Sequence, residues 1–183
     1  MKKQMRKILC VALVIVLVLG MTICLGGCGD KDEVTKVTYP IVLYFVSDYY
    51  IETGDDSKDP LVKYDGIAIE CDENTDDQYE TALTMLWDEP EDLDDVDSIV
   101  TEKFGIHDVY VKEGTAYVDL VGENLSGGSM EEILFISQIV FTLGNSFDEI
   151  EYVQFLVDGE VAESLMGHYD VTEPISVAEH KPF

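Results

Sequence analysis

Positive charge is scarce in this chain of 183 residues. The chain holds 11 lysine and arginine residues against 38 aspartate and glutamate residues, and four of the basic residues fall within the first seven positions. From position 28 onward, 38 acidic side chains stand against 7 lysines, which gives a formal net charge of −31. Nucleic acids and anionic lipid surfaces need a positive field to bind a protein, so this composition excludes a nucleic-acid partner.

The chain also has few residues in known catalytic or metal-binding patterns. The three histidines, His107, His168 and His180, lack the spacing of a two-histidine metal site, and the pattern predicts exposed polar side chains. The segment "GGSM" at 127–130 is not a G-x-S-x-G nucleophile motif. We therefore predict no catalytic residue, no metal ligand and no cofactor.

Acidic loops are frequent, and they raise the question of calcium binding. The segment "DENTDD" places Asp72, Asn74 and Asp76 at alternate positions, as an EF-hand loop does. An EF-hand would need glycine at position 77 and glutamate at position 83, where this chain has Asp77 and Leu83. Solvated loops that attract cations diffusely are expected, and a specific calcium site is the alternative.

The N-terminus has the pattern of an exported protein. "MKKQMRK" is basic, the run from Ile8 to Leu25 is uncharged, and two glycines follow before Cys28. A basic segment, an apolar segment and a small-residue exit are typical of a secretory signal, although the apolar run is also near the length of a membrane span. The sequence Leu25-Gly26-Gly27-Cys28 favours the signal, because it resembles the lipobox of bacterial lipoproteins. In that case Cys28 becomes the first residue and carries the lipid.

Removal of residues 1–27 would also remove Cys10 and Cys24, and lipidation would use Cys28. Cys71 would then be left alone, so no intramolecular disulfide is predicted. A single cysteine in an apolar run is typically a small buried residue. We predict four segments: a signal peptide at 1–27, a polar tether at 28–36, one domain at 37–178 and a tail at 179–183.

The residue patterns predict a mixture of strands and helices. Apolar and β-branched runs predict strands at 37–47, 61–71 and 152–160, and a hairpin at 104–121. The hairpin turn falls at Glu113-Gly114. Residues 48–60 contain glycine, proline and several aspartates, and they are predicted to form a loop.

Two helices are predicted from their N-terminal signals. Thr75 with Gln78, and Ser129 with Glu132, have the spacing of a capping box, and apolar residues at helical spacing follow each pair. The second helix should end at Gly144-Asn145. Strands and helices in this order predict an α+β fold with two helices packed on a sheet.

Six segments occur in an order and spacing that resemble the GerMN domain, over about residues 37–178: "VLYFVSD", "ETALTMLWDEP", "GTAYVDL", "SQIVFTL", "VQFLVDGE" and "YDVTEPIS". The resemblance implies a βαββαβ-type mixed sheet with two helices packed on it, similar to the ring-building motif of secretion and sporulation channels. It also implies a role in sporulation or spore germination, and it carries over no catalytic residues.

These features predict a lipid-anchored interaction module on the outer face of the cytoplasmic membrane of a Gram-positive bacterium. A sheet edge or a helix face would bind an envelope protein or peptidoglycan. The alternative is an enzyme or accessory subunit of peptidoglycan remodelling, which a cleft with converging carboxylates would favour. Five tyrosines are candidates for a binding face, although such side chains are more often half-buried in a sheet: Tyr49, Tyr50, Tyr64, Tyr110 and Tyr117.

Overall fold

A computed structural model of the chain describes residues 35–55, 57–73 and 75–182. The predicted signal peptide, its lipobox and Cys28 lie outside these ranges. From Thr35 to Phe183 the chain forms one compact unit. Its elements follow in this order: β1 Lys36–Ser47, α1 Asp48–Thr53, β2 Leu61–Asp72, α2 Asp77–Thr84, a 3-10 turn Met85–Trp87, β3 Val96–Asp97, β4 Ile106–Lys112, β5 Thr115–Leu120, a second 3-10 turn Gly122–Asn124, α3 Ser129–Ser146, β6 Tyr152–Val157, β7 Glu160–Val161 and β8 Ile175–Ser176.

β1 and β2 form an antiparallel sheet, and β3 adds two residue pairs at the end of β1. Alternate residues of β1 point into the core, where Ile41, Leu43 and Phe45 are each at most 1% exposed. Cys71 of β2 is buried in the same core, as predicted. One face of β1 is therefore buried in the core, and the residues between these positions are mostly half-buried.

α1 lies within the segment 48–60, which was predicted to be a loop. The helix has six residues and is capped at its C-terminus by Gly54, whose φ of 64° lies in the left-handed region that favours glycine. Six residues give too little apolar periodicity for a helix to be detected in the sequence. The loop prediction was therefore wrong for the first half of this segment.

The second sheet is mixed. Its strand order is β4-β5-β6-β7, and β8 pairs with β6. β4 and β5 form the predicted hairpin, since Glu113 and Gly114 both have positive φ, as a type I′ turn requires. β6 runs parallel to β5, and parallel pairing needs a long crossover, which α3 provides. The α+β class and a mixed sheet with packed helices are confirmed, while β1 and β2 form a separate sheet.

α3 is the central helix of the unit, and 11 of its 18 residues are buried. Seven of the buried side chains are apolar, and five of them belong to the main core. Gln138, Thr142 and Ser146 are spaced four residues apart and so lie on one face of the helix; we call them the polar row. In the described part of the chain, no helix is long and apolar enough to cross a membrane.

The polar row covers the edge of β1 that lies opposite β2. Ser146 Oγ accepts the Val42 N–H at 2.9 Å and donates to the Val42 carbonyl at 3.1 Å. Thr142 Oγ1 accepts the Tyr44 N–H at 3.2 Å, and Gln138 Nε2 donates to the Tyr44 carbonyl at 2.9 Å. Three side chains thus take the place of a neighbouring strand and satisfy backbone groups that an open edge would leave unpaired.

The predicted capping boxes and the predicted end of the second helix were wrong. α2 begins after Asp76 and α3 begins after Gly128, and neither start has a side-chain capping bond. α3 also continues past Gly144-Asn145 and ends at Ser146. Gly144 is needed for close packing instead, since a β-carbon there would lie 2.4 Å from Val177 Cγ1.

Glu132, predicted to be a capping residue, is fully buried and holds the segment that follows β7. Its Oε1 accepts the backbone N–H groups of Leu165 and Met166 at 2.8 and 2.7 Å. Its Oε2 accepts those of His168 and Tyr169 at 2.7 and 3.2 Å. A buried carboxylate is tolerated where both oxygens are hydrogen-bonded, and these four bonds fix the segment to α3.

Glu132→Gln should lower the free energy of unfolding by about 3 kcal/mol, because the new amide group faces backbone donors and leaves them unpaired. Urea denaturation measures the change. Glu131→Gln is the matched control: it removes the same charge, but Glu131 is partly exposed and pairs with Lys103 at 3.6 Å. The control should stay within about 1 kcal/mol of the unaltered chain. Equal losses in the two variants would contradict this role of Glu132.

Candidate functional site

The five tyrosines predicted as candidates for a binding face do not share one surface. Tyr50 is buried. The hydroxyl of Tyr49 donates to Asp55 at 2.6 Å, and that of Tyr64 donates to Asp92 at 2.9 Å. These three side chains belong to the region of α1 and β2, whereas the remaining two lie on the mixed sheet.

Tyr110 of β4 and Tyr117 of β5 lie directly opposite each other in the hairpin. The residues on either side of Tyr117, Ala116 and Val118, point into the core, so both tyrosines lie on the outward face of the sheet. Their ring centroids are 5.0 Å apart and their planes differ by 9°. Neighbouring strands are about 4.8 Å apart, so parallel rings at this spacing stand upright on the sheet. We call this pair the tyrosine ridge.

The tyrosine ridge is open to ligands. Both side chains are half-buried, and the core clusters include neither ring. Among the described residues, neither Tyr110 nor Tyr117 has a hydrogen-bond partner for its hydroxyl. Two aromatic rings and two free hydroxyls therefore face outward side by side. Tyr152, at the start of β6, is 40% exposed on the same face.

Acidic residues lie at one end of the tyrosine ridge. In the hairpin register Asp108 lies opposite Asp119, and on the other side of the ridge Lys112 lies opposite Thr115. Like charges directly opposite each other in a sheet repel, and no ion pair of the described residues neutralises these two carboxylates. The charge of Asp108 also acts on Glu80 of α2, whose pKa is raised by partial burial and then by Asp108. This end of the ridge therefore favours a cation.

A turn after β6 fixes the same end of the sheet. Asp158 and Gly159 have φ values of 51° and 85°. Asp158 Oδ1 accepts the Gly122 N–H at 3.3 Å and lies 3.0 Å from His107 Nε2, and the Gly159 N–H donates to Asp119 Oδ1 at 2.9 Å. His107, and then the Gly122 N–H, lower the pKa of Asp158. The segments "AYVDL" and "VDGE" are thus held together at one end of the mixed sheet.

His180 was predicted to be exposed and is instead buried, with 8% exposure. Its Nε2 lies 2.8 Å from Ser137 Oγ on α3, and the rings of Phe141 and Tyr169 lie beside it. Ser137 donates its single hydroxyl proton to the Ile133 carbonyl at 2.6 Å. The imidazole Nε2–H therefore donates to Ser137 Oγ and cannot accept the hydroxyl proton of Ser137. For this reason Ser137 and His180 do not form a pair of nucleophile and general base. It fastens the C-terminal segment to α3.

The acidic loops weighed as calcium sites do not form a metal centre in the described part of the chain. No group of three or more His, Cys, Asp or Glu side chains is placed there to hold an ion. Asn74, the middle residue of the first candidate loop, lies outside the described residues. The acidic segment "DLDDVDS" at 92–98 also lacks the glycine of an EF-hand loop, and its Asp92 carboxylate accepts the Tyr64 hydroxyl.

A groove of about 700 Å³ lies between the β1–β2 sheet and the C-terminal end of α3. Apolar side chains form most of its wall, and its acidic groups are Asp65, Asp148 and Glu149. Glu149 accepts the Tyr79 hydroxyl at 2.8 Å. Burial, followed by this bond, raises the pKa of Tyr79 to about 12. The groove thus offers an apolar surface in which the Glu149 carboxylate already accepts a hydrogen bond. It is a weaker candidate for binding than the tyrosine ridge.

The sequence of this fold matches a family of sporulation and spore germination proteins. The model of the family described as "Germane: Sporulation and spore germination" matches residues 42–163, which include the tyrosine ridge, α3 and the turn after β6. The match covers more than half of the chain, and the chain therefore belongs to the Germane family. No curated protein matches it.

Solved structures share the fold at low sequence identity. A candidate lipoprotein from Clostridium perfringens has 15% identity and a TM-score of 0.51, and the alignment covers 82% of this chain and 93% of that one. The tandem GerMN domains of the sporulation protein GerM from Bacillus subtilis have 18% identity and a TM-score of 0.53, with coverage of 82% and 48%. The first of those domains alone has 16% identity and a TM-score of 0.54, with coverage of 76% and 98%. This chain spans about half the length of the tandem structure.

Stability should fall as the pH is lowered through 6.5, because burial lowers the pKa of His180 from that value in the folded chain. His180 therefore binds a proton more readily in the unfolded chain than in the folded one. The folded state, in which His180 is neutral, loses stability below pH 6.5. Urea denaturation at several pH values above about 5, where most carboxylates remain ionised, measures how the free energy of unfolding changes with pH. His180→Asn should remove this part of the slope, and His168→Asn should keep it. An unchanged slope in His180→Asn would contradict the assignment.

Proposed function

We propose that this chain is a lipid-anchored interaction module of the cell envelope, which acts in sporulation or spore germination and binds its partner through the tyrosine ridge. The observation that carries the proposal is the ridge itself: two parallel rings on an outward sheet face, whose hydroxyls have no hydrogen-bond partner among the described residues. Tyrosines anchor many interfaces because they bury a large area at a small cost in side-chain entropy. The partner is an envelope protein or peptidoglycan, and the module acts by binding, without catalysis of its own.

The N-terminal sequence supports attachment to the outer face of the cytoplasmic membrane. The basic segment, the uncharged run and "LGGC" match a lipoprotein signal, which places the lipid on Cys28. Each buried methylene of an acyl chain contributes about 0.8 kcal/mol, so two or three chains anchor a protein stably. The charge of the domain keeps it away from anionic surfaces, which leaves the lipid as its contact with the membrane.

Cys28→Ala should abolish incorporation of a labelled fatty acid into the protein, because the thiol that forms the thioether bond is lost. Metabolic labelling in the producing bacterium, followed by electrophoresis, measures this. Cys24→Ala is the matched control, since position 24 lies in the same apolar segment and is predicted to leave with the signal. It should label as the unaltered chain does. Labelling that persists in Cys28→Ala would contradict the anchor.

A photocrosslinker placed at position 117 should capture the partner in living cells, because the ridge is the proposed contact. Benzoylphenylalanine in place of Tyr117 keeps an aromatic side chain at this site. The same residue in place of Tyr49 serves as the control, since Tyr49 belongs to α1 and is bonded to Asp55. An adduct at 117 that depends on Cys28 is expected. An adduct at 49 without one at 117 would contradict the proposed binding face.

A further inference from the structure

We propose that the tyrosine ridge and the outer edge of β4 together bind an extended, cationic segment of an envelope protein. This inference rests on the proposed function and names the chemistry of its partner. The segment would pair with β4 as an added strand and would carry a basic side chain at every second position.

The charge of the domain favours a cationic occupant. From position 28 onward the chain has a formal net charge of −31, and the carboxylates of Asp108 and Asp119 lie beside the ridge without an ion pair among the described residues. A basic side chain placed next to Asp108 would relieve its repulsion with Asp119. Complementary charge also speeds association and suppresses wrong partners.

The upright rings favour a basic side chain that lies against them. Each ring uses one face on the other ring, at a centroid distance of 5.0 Å, so Tyr110 keeps its second face toward the outer edge of β4. A guanidinium or ammonium group over such a face makes a cation–π contact. The described part of the chain already contains two contacts of this kind, since Lys58 Nζ lies 4.0 Å from the centre of the Tyr49 ring and Lys103 Nζ lies 4.4 Å from that of Phe104.

The position of β4 favours an added strand. β4 is the terminal strand of the mixed sheet, and no described strand pairs with its outer edge. Peptides that add to such an edge gain affinity from backbone hydrogen bonds and specificity from alternate side chains. One outward side chain of the added strand would lie beside Tyr110, and the next outward side chain along the strand would lie beside Asp108. The added strand would therefore need a basic side chain at every second position to contact both Tyr110 and Asp108.

Other occupants fit this surface less well. A second copy of the chain would bring together two surfaces of strong negative charge, and an anionic membrane would be repelled for the same reason. A sugar ring could stack on the second face of Tyr110, but it would leave the Asp108 carboxylate and the edge of β4 without a partner. The cationic protein segment is the occupant that uses the rings, the carboxylates and the strand edge together.

Isothermal titration calorimetry tests the inference on the full-length chain in detergent micelles. The probe is a synthetic eight-residue peptide in which arginine and tyrosine alternate, and the comparison peptide has glutamate in place of arginine. The arginine peptide should bind and the glutamate peptide should not. Affinity for the arginine peptide should fall as sodium chloride is raised, because exposed ion pairs are screened.

Substitutions locate the contact. The double variant Y110A/Y117A should weaken binding by about 30-fold, since it removes both aromatic anchors. D108N/D119N should weaken it by about fivefold, since it removes two exposed ion pairs and keeps the shape of the side chains. The controls are Y49A and D94N/E102Q, which make matched changes at exposed or half-buried positions away from the ridge. They should bind within about twofold of the unaltered chain.

Two results would overturn the cationic segment as occupant. One is failure of the arginine peptide to bind the unaltered chain, and the other is equal binding by Y110A/Y117A and Y49A. Should Y110A/Y117A fail to fold, Tyr110→Lys replaces it, because a positive charge on the ridge should repel the arginine peptide. Soluble peptidoglycan fragments are titrated in parallel. If the fragments bind, the peptide does not, and Y110A/Y117A weakens binding of the fragments, then the cationic segment is the wrong occupant and the proposed function stands. The crosslink at position 117 tests the proposed function independently.

Discussion

The amide of Gln138 is the interaction on which the packing of α3 against β1 depends. Its Oε1 accepts the N–H groups of Ile99 and Val100 at 2.8 and 3.3 Å, and its Nε2 donates to the Tyr44 carbonyl and to Ser98 Oγ at 2.9 and 3.2 Å. One buried side chain therefore joins α3, β1 and the connection that follows β3. Loss of one partner in such a network leaves the others unpaired in a medium of low dielectric. With the rest of the polar row, it fixes α3 along the edge of β1.

The C-terminal segment determines which part of the mixed sheet remains available. Glu132 holds this segment near its beginning and His180 holds it near its end. Between them, Gln154 of β6 donates to the Val171 carbonyl at 2.9 Å and is buried. The outward face of β6 is therefore largely covered, whereas the outward faces of β4 and β5 remain open. The tyrosine ridge lies on this open part, so the same contacts that stabilise the fold also limit the binding face to the hairpin.

Local patterns predicted much of this structure, and contacts between distant residues account for most of the errors. The two-residue turn at Glu113-Gly114 fixes the register of the hairpin, and that register alone places Tyr110 opposite Tyr117. The sequence therefore contained the signal for the ridge. Glu132 has the spacing of a capping residue, yet its partners lie more than 30 positions away, and no local pattern distinguishes the two roles. His180 looked exposed because it is polar and near the end of the chain, but its burial depends on a fit to α3 that only the fold creates.

The separation of β1 from its covering helix has a consequence for biosynthesis. β2 follows β1 after a short connection, but Ser146 lies 104 positions after Val42. A chain that emerges from its N-terminus pairs β1 with β2 early and exposes the other edge of β1 until α3 is complete. An open edge is a template for aggregation. Pro40, on the same alternation as Val42 and Tyr44, lacks an N–H group and removes one donor from that edge. Completion of α3 is thus the step in synthesis that closes this sheet to foreign strands.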